Sequence, residues 1–285
     1  VSSLGSGVII DAQAGHIITN SHVIDGADEI SVRLHDGRSF EAQRVGGDED
    51  ADIAVIRIPP EQLQAIQFGD SDQLRVGDFV VAIGNPFGLG QTATSGIVSA
   101  LGRTGLGIEG YEDFIQTDAS INRGNSGGAL VNLRGELVGV NTAILAPGGG
   151  NIGIGFAIPI NMAARLTRQI IDYGEVRRGR LGVIVQNLTP ELAEALDIDA
   201  TSGALISQVM PDSAAADAGL REGDVIIAVD GRGIDGASAL RNAIGLFRAD
   251  DEIEISFLRD KKRNSKRIRI RSIEPPAGQG VQISE

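Results

Sequence analysis

A chain of 285 residues is long enough for two domains, and a hydrophobic fraction of 42% with mean hydropathy near zero is the balance of a soluble protein with ordinary buried cores. The formal net charge of −13 argues against attraction to nucleic acid or anionic lipid. The lack of cysteine excludes disulfides, thiol catalysis and Cys-ligated metals, which suits a reducing cytoplasm and an envelope protein without disulfides equally.

The sequence opens on Val1-Ser2-Ser3-Leu4-Gly5-Ser6-Gly7-Val8 with neither an initiator Met nor a signal peptide, so targeting or anchoring segments are expected to be missing from it. No apolar run approaches the ~18 residues of a membrane span. Residues 1–158 consist of short β-branched runs broken by Gly, Asp and Asn: Gly7-Val8-Ile9-Ile10, His16-Ile17-Ile18-Thr19, Glu29-Ile30-Ser31-Val32-Arg33-Leu34, Ile53-Ala54-Val55-Ile56 and Phe79-Val80-Val81-Ala82-Ile83. His35-Asp36-Gly37-Arg38 reads as a hairpin turn, because Asp-Gly tolerates positive φ. Many short strands without intervening helices predict an antiparallel barrel or sandwich.

The pattern changes at Pro159. Asn161 is the expected cap of a helix through Met162, Leu166, Ile170 and Ile171, with Gly174 as its stop. The polar, basic connector Glu175-Val176-Arg177-Arg178-Gly179 is the expected boundary between a first domain, 1–174, and a second, 180–273. The second is expected to mix strands with two short helices, 213–218 and 237–246, and to close on a strand pair, 252–258 and 267–273. Arg267-Ile268-Arg269-Ile270-Arg271, within the basic run 259–271, alternates as a strand with one solvated face, a reading preferred to a nucleic-acid patch. The tail 274–285 begins Glu274-Pro275-Pro276-Ala277-Gly278 and reads as a linker to a further module.

A serine hydroxyl is a poor nucleophile until a base takes its proton and that base is held in the right tautomer. Ser126 carries the strongest local pattern. In Gly124-Asn125-Ser126-Gly127-Gly128 the glycines permit a tight turn that aims the N–H groups of Gly124 and Ser126 at one point, where they would stabilise an oxyanion. Of the three histidines, His35 sits in the hairpin turn and His16 follows Gly15 at a strand start, without an acidic partner nearby in sequence. His22, in Thr19-Asn20-Ser21-His22-Val23, lies just past a strand end, where a barrel can aim a side chain into a cleft. Alone, each is more often structural than catalytic. Asp52 opens Asp52-Ile53-Ala54-Val55-Ile56 as a carboxylate at the lip of an apolar strand, suited to a His Nδ1–H partner or simply to a strand-entry turn. Gly148-Gly149-Gly150-Asn151-Ile152-Gly153 satisfies the dinucleotide fingerprint, but an apolar strand follows instead of a helix, so nucleotide binding is set aside and no cofactor or metal is expected.

The segments around His22, Asp52 and Ser126 resemble the HtrA/Deg proteases, as do Gly84-Asn85-Pro86-Phe87-Gly88 and Gln116-Thr117-Asp118-Ala119. The match runs through nearly the whole chain, and Asn141-Thr142-Ala143-Ile144-Leu145-Ala146-Pro147 is most similar to the family's bacterial envelope members. The resemblance implies a mainly β protein, a trypsin-like double β-barrel protease domain followed by an α+β PDZ domain. It implies His22 as general base, Asp52 as its orienter, Ser126 as nucleophile and the N–H groups of Gly124 and Ser126 as oxyanion hole. Asn125 stands where trypsin-like zymogens carry Asp, so a salt bridge to a newly cut N-terminus is not open to it, and regulation by loop rearrangement is expected. Ser120, six before the nucleophile, would form the neutral base of the S1 pocket, with Ile121, Ile144 and Leu145 nearby. Cleavage after Val, Ala or Ile is therefore expected.

The second domain resembles a PDZ module, which binds an extended peptide along a sheet edge. Arg180-Leu181-Gly182-Val183 would capture a terminal carboxylate, and Leu240 and Ile244, one helical turn apart, would line the side-chain pocket or simply pack the core. The loop 102–110 would sense peptide or substrate occupancy, with Arg103 as relay. The family also implies unfolded or misfolded protein substrates, a homotrimer or larger assembly, and a periplasmic setting. Three functions stay open: an endopeptidase of misfolded envelope proteins, a chaperone or binding protein, and an anchored signalling protease that cuts one regulator.

Overall fold

A computed structural model describes residues 3–88, 90–144 and 152–272. The chain divides into two compact units, Val1–Val176 and Arg177–Glu285. In the first, β1 (Val8–Asp11), β2 (His16–Thr19), β3 (Ile30–Arg33), β4 (Ser39–Asp48) and β5 (Ile53–Arg57) form an antiparallel sheet of order β1-β2-β5-β4-β3. The one-turn helix α1 (Ser21–Ile24) follows β2. Ile17, Ile24, Ala42, Ala54, Ile56 and Ile58 make this sheet's core. The β3–β4 hairpin turns at Gly37, whose φ is +91°, while the Asp36 carboxylate accepts the Arg38 N–H at 3.1 Å.

The strands β6 (Phe79–Gly84), β7 (Thr92–Arg103), β8 (Phe114–Thr117), β9 (Ala129–Asn132), β10 (Leu137–Ile144) and β11 (Gly155–Pro159) close into a barrel of order β10-β11-β8-β7-β6-β9. Its centre holds Val80, Val98, Ile115, Ile121, Leu130 and Val138. Of the two barrels expected, this one is closed by its hydrogen bonds. The first sheet is open, and the segment after Pro59 covers its β1 edge, with the Ile66 N–H donating to the Ile9 carbonyl at 3.0 Å.

Helix α2 (Ile160–Tyr173) packs on β4 and β5 of the sheet and on β10 and β11 of the barrel, so one apolar helix face joins both. Its cap differs from expectation. Pro159 is the N-cap residue and the helix starts directly from β11, which places Asn161 one position inside. The Asn161 amide reaches sideways to donate to Asp70 Oδ1 at 2.7 Å. Gly174 ends the helix at φ +79°, donating to the Ile170 carbonyl at 2.8 Å.

The second unit pairs β12 (Gly179–Arg180) with a closing strand and builds its main sheet from β13 (Val183–Asn187), β14 (Ala204–Val209), β15 (Val225–Val229), β16 (Arg232–Gly233), β17 (Glu252–Arg259) and β18 (Lys262–Arg269). The strand closing on β12 is β19 (Arg271–Ser272). Three helices accompany them: α3 (Pro190–Ala195), α4 (Ala214–Asp217) and α5 (Ala237–Gly245). Helix α3 was not expected, although Thr189, whose hydroxyl accepts the Leu192 N–H at 3.3 Å, and Pro190 are a readable helix start. The second strand of the final pair, expected over 267–273, instead runs Lys262–Arg269, and Arg271–Ser272 leave it to pair with β12. β18 begins at Lys262, because Asp260 and Lys261, at φ +50° and +60°, make a tight hairpin turn. Its residues 262–267 are all exposed and polar, so no apolar alternation marks that stretch as a strand.

Asp224 is 1% exposed, and both its oxygens accept from Arg259, Nε and Nη2 each at 2.7 Å. Removing the cation leaves a buried carboxylate without its counter-charge. Arg259→Met is expected to destabilise the second unit by about 3 kcal/mol, measured by urea unfolding of the full chain.

Candidate active site

Three turns converge on Asp52. β2 ends at Thr19, Asn20 continues in extended backbone, and α1 then presents His22 at its second residue. The buried Asn20 side chain donates to the Asp52 carbonyl at 2.8 Å, tying the histidine turn to the entrance of β5. Asp52 itself has φ +53°, a left-handed conformation that Asp tolerates better than most residues. This turns its side chain back toward α1, where the carboxylate accepts the His22 backbone N–H at 3.0 Å and His22 Nδ1 at 2.8 and 2.9 Å. A third donor arrives from the barrel: Thr142 Oγ1 on β10 bonds Asp52 Oδ2 at 2.6 Å. Asp52 is 2% exposed, and this donor set satisfies it. A carboxylate accepts, so Nδ1 carries the imidazole proton and Nε2 keeps its lone pair, the tautomer of a general base.

Ser126 stands at the other side of Thr142. Its hydroxyl donates to the Thr142 carbonyl at 3.0 Å, and among the described residues it makes no hydrogen bond to His22. Thr142 therefore holds the carboxylate with its side chain and the serine with its backbone. The turn around Ser126 is fixed by backbone bonds: Asn125 N–H to Asn122, Gly128 N–H to Asn125 and Gly127 N–H to Asn141, at 2.9, 2.9 and 2.8 Å. The N–H groups of Gly124 and Ser126 donate to no acceptor among the described residues, and Gly124 has φ +101°. Those two are the pair read from the sequence as an oxyanion hole. Asn125, 3% exposed, points inward with Nδ2 3.4 Å from the Ser120 carbonyl.

Of the residues expected to form S1, Ser120 is exposed and its carbonyl accepts Thr94 Oγ1 at 2.8 Å. Ile121 is placed differently. It is 1% exposed within the barrel core, and its Cδ1 would lie 2.9 Å from a Cβ on Gly155, so it backs any pocket there instead of lining it. Ile144 pairs with Gly155 through the backbone, and Leu145 lies outside the described residues, as does most of the glycine run 148–153.

Comparison with known proteins accords with this geometry. Residues 5–140 match a trypsin-like peptidase domain and residues 179–270 a PDZ domain. The periplasmic serine endoprotease DegP of Escherichia coli K12 is 59% identical over 92% of this chain and 55% of its own length. The periplasmic pH-dependent serine endoprotease DegQ of the same organism is 55% identical over 91% of this chain and 57% of its own. A solved structure of the HtrA-type protease AlgW with a tripeptide is 48% identical, with TM-score 0.80, covering 97% of this chain and 91% of that one. The chain belongs to the HtrA family. It spans little more than half the length of DegP and DegQ.

HtrA membership draws attention to the segment following β7. Arg103, the expected relay, ends that strand, and its Nε donates to Gln116 Oε1 on β8 at 2.9 Å. Beyond it the loop is organised by a residue the sequence did not single out. The Glu112 carboxylate accepts the N–H groups of Leu106, Ile108 and Glu109 at 2.6, 2.6 and 3.2 Å. Burial alone would raise its pKa, but these backbone donors and that of Gly105 outweigh burial and hold it below the usual range. The Tyr111 N–H donates to the Asp50 carbonyl at 2.8 Å, two residues before Asp52, so the loop docks on the turn that carries the buried carboxylate. Glu109 is half-buried in this loop, and its carboxyl is pushed up to about 7, first by burial and then by the charge of Asp52.

In the second unit of this HtrA chain, Arg180 pairs with Arg271 and Val183 opens β13. Between them the N–H groups of Leu181 and Gly182 donate to no acceptor among the described residues, as a carboxylate-binding loop requires. Leu181 is itself buried, and so are Leu240 and Ile244, at 2% and 7% exposure in the same core. These last two side chains therefore pack the unit's interior.

The His22 imidazole has a raised pKa, chiefly from its hydrogen bond to Asp52, opposed by burial and helped by the charges of Asp52 and Glu109. A base must be neutral, so activity should rise with pH as His22 loses its proton. Glu109→Gln removes one negative charge that favours the imidazolium. The acid limb of kcat/KM is expected to move to lower pH in this variant, read from a pH–rate profile. A limb that stays in place or moves upward contradicts the coupling.

Proposed function

We propose that this chain is a serine endopeptidase that works in the periplasm, without ATP, on unfolded or misfolded proteins. The observation that carries the reading is the shared anchoring on Thr142 of the nucleophile and of the Asp52 carboxylate, which in turn fixes the His22 tautomer. In this reading the Ser126 hydroxyl leaves the Thr142 carbonyl and delivers its proton to His22 Nε2 as Oγ attacks the scissile carbonyl. The Asp52 carboxylate stabilises the imidazolium, and the N–H groups of Gly124 and Ser126 receive the oxyanion. His22 then protonates the leaving amine, and water activated by the same base releases the acyl group.

Neutral Ser120 offers no counter-charge to Lys or Arg, which favours Val, Ala or Ile before the cut. The second unit would hold a peptide through the N–H groups of Leu181 and Gly182 and the edge of β13, as PDZ domains do. Arg103, at the head of the Glu112-organised loop, is the proposed relay from that event, and a homotrimer or larger assembly is the proposed state. Among the described residues no helix is long and apolar enough to cross a membrane. Identity of 59% to the periplasmic serine endoprotease DegP supports the envelope-endoprotease reading.

Casein digestion with cleavage-site mapping tests this. Wild type should cut after Val, Ala and Ile, and Ser126→Ala should lose about 10⁴-fold or more in kcat. Undiminished digestion by Ser126→Ala contradicts the assignment of the nucleophile, and a dominant Arg or Lys at the cut contradicts the S1 reading. A wild type that suppresses aggregation without cutting would mark a chaperone.

A further inference from the structure

Ser6 lies 120 residues from Ser126 in sequence, yet all its polar groups are engaged beside it. Its N–H donates to the Ser126 carbonyl at 2.8 Å, and its carbonyl accepts Thr19 Oγ1 at 2.7 Å. Its hydroxyl accepts the Asn85 N–H at 2.9 Å and donates to the Gly124 carbonyl at 2.7 Å. The flanking glycines permit this close seat. A Cβ on Gly7 would stand 2.7 Å from Ile17 Cγ2, and one on Gly5 would collide with the Val23 side chain.

The consequence follows from peptide planarity. In a trans peptide the carbonyl and the N–H point in opposite directions, so the Gly124 and Ser126 carbonyls are the far ends of the Asn125 and Gly127 N–H groups, which the Asn122 and Asn141 carbonyls accept. Ser6 holds the carbonyls of Gly124 and Ser126, which belong to the two peptide units on either side of the one that carries the Ser126 N–H. Gly124 has no Cβ and a φ of +101°, so its own sterics restrain the turn little and outside bonds must do so. The Ser6 hydroxyl holds one end of the peptide unit that follows Gly124, and the Asn125 N–H bond to Asn122 holds the other. The Ser6 hydroxyl oxygen also accepts the Asn85 N–H, so the segment after β6 is linked to the same point.

We propose that Ser6 is a positioning residue for the oxyanion hole, its hydroxyl locking the Gly124 carbonyl away from the cleft so that the N–H groups of Gly124 and Ser126 converge. This rests on the reading of Ser126 as nucleophile. The test compares wild type, Ser6→Ala and Ser126→Ala on a chromogenic peptide with Val before the leaving group, and on a peptide boronate that forms a tetrahedral anionic adduct. Active sites are titrated and melting temperatures recorded for each. Loss of a hole donor costs about 10²–10³-fold in kcat, and loosening the pair should cost about tenfold or more.

In Ser6→Ala, kcat per titrated site is expected to fall by that factor with KM little changed, boronate affinity to fall in parallel, and the acid limb of the pH profile to stay in place. An unchanged kcat per titrated site overturns the proposal, including where the melting temperature or the active fraction drops, since that marks a purely structural role. Should Ser6→Ala not fold, Ser6→Cys fills the same space with a weaker donor. It should show the same direction, and full kcat in it overturns the proposal. Activity in Ser126→Ala would instead overturn the reading of the site, whereas a dead Ser126→Ala beside a fully active Ser6→Ala overturns only the role of Ser6.

Discussion

The buried carboxylate of Asp52 is the constraint around which the first unit is arranged. A carboxylate that is 2% exposed must be surrounded by donors, and here the donors come from both sheets. His22 belongs to the open sheet and Thr142 to the barrel, so satisfying one side chain draws the two halves to a common point. Helix α2 also joins the halves by packing on strands of both. The site is thus a seam, and its chemistry depends on two independently cored elements meeting in register.

That dependence explains which residues could be read from the chain. His22, Asp52 and Ser126 lie in segments whose local composition is unusual: a polar turn after an apolar strand, an acid at a strand lip, a serine among glycines. Their convergence is the kind of pattern that spacing and resemblance report. Thr142 and Ser6 reach groups 90 and 118 residues away and Glu112 gathers backbone donors up to six residues away, and an isolated Thr, Ser or Glu carries no local mark of such a partner. Asn161 shows the intermediate case. It has the composition of a capping residue, but Pro159 already begins the helix, and the Asn161 side chain instead accepts the Ser71 N–H and donates to Asp70.

The second unit was harder to read for a different reason. Its strands are marked where they are buried and unmarked where they are solvated, as in the Lys- and Arg-rich start of β18. Leu240 and Ile244 have the spacing of pocket residues and equally that of core residues; their burial with Leu181 gives them an interior role. What the loop 180–183 leaves without an acceptor among the described residues is the backbone N–H pair of Leu181 and Gly182, and backbone donors are invisible to composition. The S1 region teaches the same lesson in reverse, since Ile121 is apolar as expected but turned into the barrel.

The links from Ser6 to Ser126 and Gly124 span more than a hundred residues, a distance across which many secreted domains place a disulfide. In a chain without cysteine they are hydrogen bonds alone. The nucleophile turn is therefore indifferent to the redox poise of its surroundings, and no oxidant or isomerase is needed to make it. After transient unfolding it re-forms with the strands that carry it, with no covalent step left to complete.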